Sequence, residues 1–535
     1  MRSPACWMMV LALVACPLLA ASPNADPEAI STTSPESRPL QRLSHAGGRI
    51  VNGLRTVAFP NVAAILDSST NSEFCTGTLI GCRTVITAAH CVCEDDGPAC
   101  QGSNPPSRTD PSDMLVFFQH AGTFSVTSVK VHPSFEFGTG HDVALLTLGD
   151  MVEGIKPARI NTTSRPANGS TGGIVGFGLT HSDLDDSGIK RQGLVKLSSC
   201  SVVPGSTHLC WQFANPVGTA GQDSNTCLGD SGGPLFVNFG SGNVIAGVTS
   251  GGTSGTCQTP DSSWDNDIFV DRSWVQNNAG ADINNTTCGT LPQVEASGAT
   301  VFFGDNTVSG AKPDERFSFP VATGTNLLRV ALNGEDGSFL NPNDFDLYLR
   351  AGSQPTTAQF DCRSAADGTF EQCEVAAPST GTWHILVHRF AGSGRFQVTA
   401  SLFSGATASN DCVADDDTLC IDDQPGDQRW KIEISYDTTL GGGRSGMGQA
   451  IPLDSLGITR GGLFWFFSAT NPELLIKVLN NCGNSGFYWV FWSATTSVGM
   501  TVTVTDTQTG RTKTYTNPDR NAAAPVGDTR AFSCP

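Results

Sequence analysis

The stretch Gly229-Asp230-Ser231-Gly232-Gly233-Pro234, running into Leu235-Phe236-Val237, sets the reading of this chain. A serine hydroxyl sits among glycines that let the backbone approach a neighbour closely, and an apolar strand follows. Two upstream segments supply what such a serine lacks. Thr87-Ala88-Ala89-His90-Cys91 ends an apolar run with a histidine, and His141-Asp142 opens another, Val143-Ala144-Leu145-Leu146. Acyl transfer needs a nucleophile, a base to take its proton and a carboxylate to orient the base. It also needs backbone N–H donors aimed at the developing oxyanion, which a Gly-x-Ser stretch supplies. Each segment alone reads as a strand end or a loop. Their joint occurrence carries the chemistry.

These segments, in the order His…Asp…Ser, resemble the trypsin/chymotrypsin family of serine proteases over roughly residues 50–285. The resemblance implies two packed antiparallel β-barrels. It makes His90 the general base and later acid, Asp142 the residue that fixes the imidazole tautomer, and Ser231 the nucleophile, with N–H donors from Gly229 and Ser231. Gly47-Gly48-Arg49-Ile50-Val51-Asn52-Gly53 resembles the family's zymogen site, cut after Arg49, so that the new Ile50 ammonium pairs with Asp230. The family's common bridges correspond to Cys75–Cys91, Cys200–Cys210 and Cys227–Cys257. Cys82, Cys93, Cys100 and Cys288 depart from that pattern, and four cysteines leave three pairings open.

The substrate pocket departs too. Asn225 stands where trypsin has an aspartate, and Ser250, Gly251 and Gly252 match the substrate-binding strand, with Gly251 replacing the usual tryptophan. Asp267 aligns with a pocket-floor position, from which a carboxylate would attract a basic side chain; the other reading puts Asp265 and Asp267 in a surface loop. Arg49 points to a basic preference if the enzyme activates itself. A lipase would want its serine on a strand-to-helix turn, which Pro234 and the following strand deny.

The chain has 535 residues, 50 acidic and 31 basic, for a formal charge of −19. That length calls for several domains. The negative balance argues against nucleic acid and against docking on anionic lipid. Fifty-nine glycines and only 15% charged residues fit an all-β protein. Eighteen cysteines without a CxxC…CxxC framework indicate an oxidising compartment and no zinc framework, so no metal is expected in the protease unit.

Arg2 and the apolar run at residues 7–15 form an export signal, taken as residues 1–21. Leu13-Val14-Ala15-Cys16 keeps open a second reading, a lipobox that would anchor the protein through Cys16. No later apolar run is long enough to span a bilayer. Residues 22–49, rich in Pro, Ser, Thr and Glu, read as a pro-segment, and residues 50–288 as the protease unit. Residues 284–298 look like a linker.

Residues 299–403, with DFDLYLRAGSQPTTAQFDC and GTWHILV, resemble the bacterial pre-peptidase C-terminal domain, a β-sandwich often removed late or used for surface contact. Cys362 and Cys373 would clip a loop there, and Asp344, Asp346 and Asp361 offer oxygens to calcium. Residues 411–535 read as a third β-rich unit, with local pairs Cys412–Cys420 and Cys482–Cys534 and with aromatic runs that form either a core or a polymer-binding face. The whole describes a secreted bacterial serine endopeptidase acting on protein or peptide, with an activating protease as a further partner. The rival is an adhesion protein whose C-terminal units carry the main function.

Overall fold

The computed structural model describes residues 50–534 apart from 94–99, 101–107, 297, 339, 405–411, 413, 425–426 and 509–510, together with two short strands at Arg38–Pro39 and Gln41–Arg42. The expected signal, the alternative lipobox at Cys16, the expected cleavage site at Arg49 and the expected linker at 404–410 lie largely outside the described residues. No helix among those residues is long and apolar enough to cross a membrane.

The first barrel closes from six antiparallel strands: β1 (Val62–Asp67), β2 (Glu73–Leu79), β3 (Thr84–Thr87), β4 (Met114–Phe118), β5 (Gly122–Val131) and β6 (Ala144–Leu148), in the order β1-β2-β3-β6-β5-β4. The second uses β7 (Thr171–Gly176), β8 (Arg191–Ser198), β9 (His208–Phe213), β10 (Pro234–Asn238), β11 (Asn243–Gly252) and β12 (Asp261–Asp267). Its ring runs β7-β10-β11-β12-β9-β8 and closes through β8 pairing with β7. Alternation drives these strands: along β8, Val195 and Leu197 are buried while Leu194 is half-buried and Lys196 exposed. Helix α1 (Ile268–Ala279) follows β12 directly.

Two five-stranded sheets form the next unit. β13 (Ala299–Val308), β15 (Thr325–Gly334), β18 (Glu371–Ala376) and β20 (Gly394–Ser404) build one; β14 (Asp314–Val321), β16 (Asp344–Ala351), β17 (Cys362–Ser364) and β19 (Gly381–Ala391) build the other. The fifth strand of each comes from residues ahead of the first barrel: Arg38–Pro39 pairs with Phe317 and Ser318, and Gln41–Arg42 with Phe302 and Phe303. A third pair of sheets spans Thr418–Ile421 to Val526–Ser533 around Trp430, Phe464, Val490 and Phe532. Of its aromatic runs, Tyr488, Val490 and Trp492 are buried, while Phe487, Trp489 and Phe491 on the other face are half-buried.

The four unassigned cysteines pair as Cys82–Cys288 and Cys93–Cys100, and all six other expected bridges form. The first of these ties the expected linker to the start of the first barrel, and Leu291 and Val294 bury beside it. The sandwich is not pendant either. Gln119 donates to Asn333 Oδ1 at 2.9 Å and to Gln397 Oε1 at 3.0 Å, Lys190 N–H donates to the same Gln397 oxygen at 2.9 Å, and Glu73 N–H donates to Asp336 Oδ2 at 3.0 Å.

Candidate active site

His90 lies on the single turn Ala89–Cys91 that ends β3, and the Cys75–Cys91 bridge fastens that turn to β2. Asp142 stands just ahead of β6, wholly buried. Both its oxygens hold His90. Oδ1 accepts from His90 N at 3.0 Å, and Oδ2 lies 2.7 Å from Nδ1 and accepts from Ser250 Oγ at 2.6 Å. Asp142 N–H donates to Asn266 Oδ1 at 3.1 Å. Burial works to lower the His90 pKa, but the Asp142 charge and hydrogen bond outweigh it and leave the imidazole above its ordinary value. Burial works to raise Asp142, and the same partners with Ser250 leave it below the usual carboxylate range.

Ser231 reaches this pair from the second barrel. Its carbonyl accepts from Thr76 N–H on β2 at 2.8 Å and lies 3.6 Å from the sulfur of Cys91, the neighbour of His90. Gly232 makes the approach possible: φ is +82°, and a Cβ there would fall 2.1 Å from Thr87 Oγ1 and 2.3 Å from the Thr76 carbonyl. Gly229 is also left-handed, at +91°, and the amides of Gly229 and Ser231 donate to no protein acceptor among the described residues. An imidazole oriented by a buried carboxylate, beside a serine with two free amides, is equipped for general-base attack and oxyanion stabilisation.

Asp230 is buried behind the serine. Its carboxylate accepts from Gly178 N–H at 3.0 Å and Cys227 N–H at 2.9 Å, and burial still pushes its pKa up to about 7. Ile50 is buried nearby in the second barrel's core with Leu209 and Trp211.

The pocket residues divide. Ser250 joins the triad-like cluster through Asp142, and Gly252 ends β11 against Asp261. Asn225 is wholly buried with its amide engaged throughout: it donates to Asp261 Oδ2 at 2.7 Å and the Cys257 carbonyl at 3.3 Å, and accepts from Trp211 Nε1 at 3.0 Å and Ser263 Oγ at 2.7 Å. No hydrogen-bonding capacity is left over for a substrate.

Asp267, expected at the pocket floor, has both carboxylate oxygens engaged elsewhere. Its Oδ1 caps α1 by accepting from Phe269 N–H at 2.9 Å, and its Oδ2 pairs with the Arg165 guanidinium. The neighbouring Asp265 has a different setting. It lies on the same face of β12 as Ser263, the Asn225 partner, and opposite Thr249, whose backbone bonds Gly232 and Gly233 behind Ser231. It is wholly buried, and burial, opposed by the Thr249 hydroxyl, holds its pKa well above the usual range. Two-residue alternation puts Asp265 and Asp267 on one face, so local sequence alone does not separate them.

The calcium set does not converge on one end of the sandwich. Asp346 accepts from the Tyr348 hydroxyl at 3.0 Å and faces Asp344, whereas Asp361 binds the Ala351 amide at 2.8 Å, at the far end of β16.

The sequence relatives agree with this geometry. A family model described as Trypsin matches residues 50–270, and one described as Bacterial pre-peptidase C-terminal domain matches residues 315–389. A trypsin of Saccharopolyspora erythraea is 34% identical over 188 residues, 34% of this chain and 76% of the relative. Trypsin delta of Drosophila melanogaster is 29% identical over 259 residues, covering 44% of this chain and 91% of the relative. A zinc metalloprotease of Helicobacter pylori is 32% identical over 111 residues, 20% of this chain and 40% of the relative. Twin barrels, a histidine–aspartate pair and a glycine-flanked serine at their junction, and a trypsin matched over three quarters of its length lead to one assignment: the chain belongs to the trypsin family.

Proposed function

We propose that this protein is a secreted serine endopeptidase, made as a zymogen and activated by cleavage after Arg49. The observation that carries the reading is the 2.7 Å contact of His90 with a buried Asp142, at the barrel junction where Ser231 is pinned. Ser231 Oγ attacks the scissile carbonyl as His90 Nε2 takes its proton, and the Gly229 and Ser231 amides receive the oxyanion. His90 then protonates the leaving amine, and water repeats the sequence on the acyl-enzyme. A fluorophosphonate probe tests this directly. Cleaved wild type should label and the Ser231→Ala variant should not. Absence of labelling after cleavage at Arg49 would leave the binding-protein reading.

Activation follows from Asp230. A buried carboxylate that accepts from two backbone amides, feels the Arg191 guanidinium and is still lifted to about pH 7 by burial is a site that an incoming ammonium would stabilise. The Arg49→Gln chain should therefore show little turnover.

The specificity reading is a basic side chain at the cleaved bond, met by Asp265. A cation reaching that carboxylate relieves its uncompensated burial. Asp265→Asn should cut kcat/KM for Arg and Lys substrates at least tenfold while sparing Leu and Phe substrates. Equal losses on all four would count against this pocket.

A further inference from the structure

Three residues outside the catalytic cluster converge behind Asp142. His132 follows β5, His141 precedes Asp142, and Asp271 lies in the first turn of α1. Their ligand atoms all lie within 4.8 Å of one another. Asp271 Oδ1 is 2.6 Å from His141 Nδ1 and 3.7 Å from His132 Nε2. The two imidazoles stack at 4.5 Å between centroids and 8° between planes, and Trp274 walls the far side of His132 at 5.0 Å. His141 is held there at φ +60°, a left-handed conformation uncommon for a residue with a side chain.

We propose that His132, His141 and Asp271 form a zinc site with an open fourth position. Two imidazole nitrogens and one carboxylate oxygen are a donor set suited to zinc. Tetrahedral bonds of about 2.0–2.1 Å place neighbouring ligand atoms roughly 3.4 Å apart. The separations present bracket that value, so small side-chain shifts close the shell. Two contacts have to yield: the 2.6 Å hydrogen bond between His141 Nδ1 and Asp271 Oδ1, which the metal replaces, and the Ser134 N–H donation to His132 Nδ1 at 3.2 Å, because ligation through Nε2 puts a proton on that nitrogen. The set has its own outer support. Asp271 Oδ2 accepts from Asn266 Nδ2 at 2.8 Å, which fixes the carboxylate and leaves Oδ1 toward the histidines.

The same support links the site to the catalytic cluster. Asn266 binds Asp271 through its amide nitrogen and the Asp142 N–H through its amide oxygen, while His141 is covalently next to Asp142. Zinc spreading the His141–Asp271 contact from 2.6 Å toward about 3.4 Å shifts both connections to Asp142. Occupancy therefore lowers turnover without a metal touching substrate. This coupling rests on the protease reading; the site itself does not.

Zinc binding is measured calorimetrically on the full His90→Ala chain, which removes the catalytic imidazole as a competing ligand. The expected result is one equivalent bound, weakened tenfold or more by His132→Gln and by His141→Gln, with circular dichroism checking that each variant is folded. No binding, or equal binding in both variants, overturns the site. In the cleaved enzyme, zinc should inhibit wild type and spare His132→Gln. Zinc bound without loss of turnover, or equal inhibition of both proteins, overturns the coupling.

Discussion

Asp142 spends both oxygens on His90 and still accepts from Ser250, so the imidazole has one orientation and one tautomer available. On the proposed mechanism, Asp142→Asn reverses the tautomer preference and should lower kcat by about 10⁴-fold, the scale expected when such a triad loses its orienting charge. The pH profile has a definite direction. The Asp142 charge outweighs burial and raises His90, so the base form is lost as pH falls through a value above the ordinary ~6.5. Steady-state kcat/KM from pH 5 to 9 should therefore rise through an apparent pKa above 6.5. A midpoint below 6 would contradict the electrostatics. His90, Asp142 and Ser231 were legible because each sits in a contiguous motif. Asp265 was not, because what separates it from Asp267 is Arg165, distant in sequence and brought in only by the folded chain.

At the level of elements, β12 and α1 share one residue's work. Asp267 ends the strand, caps the helix and neutralises Arg165 from a fully buried position. Asp267→Ala removes the cap and the ion pair with a part-exposed Arg165 that keeps its bond to the His208 carbonyl, and should cost about 1–2 kcal/mol in urea unfolding. A loss under 0.5 kcal/mol would mean that water replaces the aspartate. Strand β11 shows how a departure from the family pattern is absorbed. Gly251 pairs with Trp264 on β12, and a Cβ on Gly251 would fall 2.7 Å from the Trp264 ring, so the neighbouring strand returns an indole to the missing tryptophan's vicinity. The strands themselves were readable from alternation, as in Thr501-Val502-Thr503-Val504, but this exchange was not. It depends on a register shift between Thr249 and Gly251 that no local pattern announces.

Across the whole molecule, polar side chains from the sandwich are buried against both barrels. Asn333, Asp336 and Gln397 accept from or donate to Gln119, Gly188, Lys190 and Glu73, and on the other side Lys513 of the third unit pairs with Asp150 at 3.1 Å. Domains joined this way separate at the expense of unpaired buried groups, each worth about 1–3 kcal/mol. A chain ending after Ala296 should therefore have a lower Tm by scanning calorimetry than the full chain; an unchanged Tm would make the sandwich a passenger. Asp230, Asp336 and Glu153 are each raised to about 7, chiefly by burial. All three bind protons more tightly folded than unfolded, so their contribution is complete below about pH 4 and is lost as pH rises through about 7. Uncut Ser231→Ala protein should melt higher at pH 5 than at pH 8, and Asp336→Asn should flatten the difference. One bond described above has a further effect. Cys82 and Cys288 convert 206 residues of polypeptide into a covalent loop that holds all of the serine-bearing barrel. A nick in the exposed turn at 183–185 would then shed nothing: the particle would migrate as a single band on a gel run without thiol and fall apart only once reduced. The proposed cut after Arg49 lies upstream of that loop and leaves the covalent ring intact.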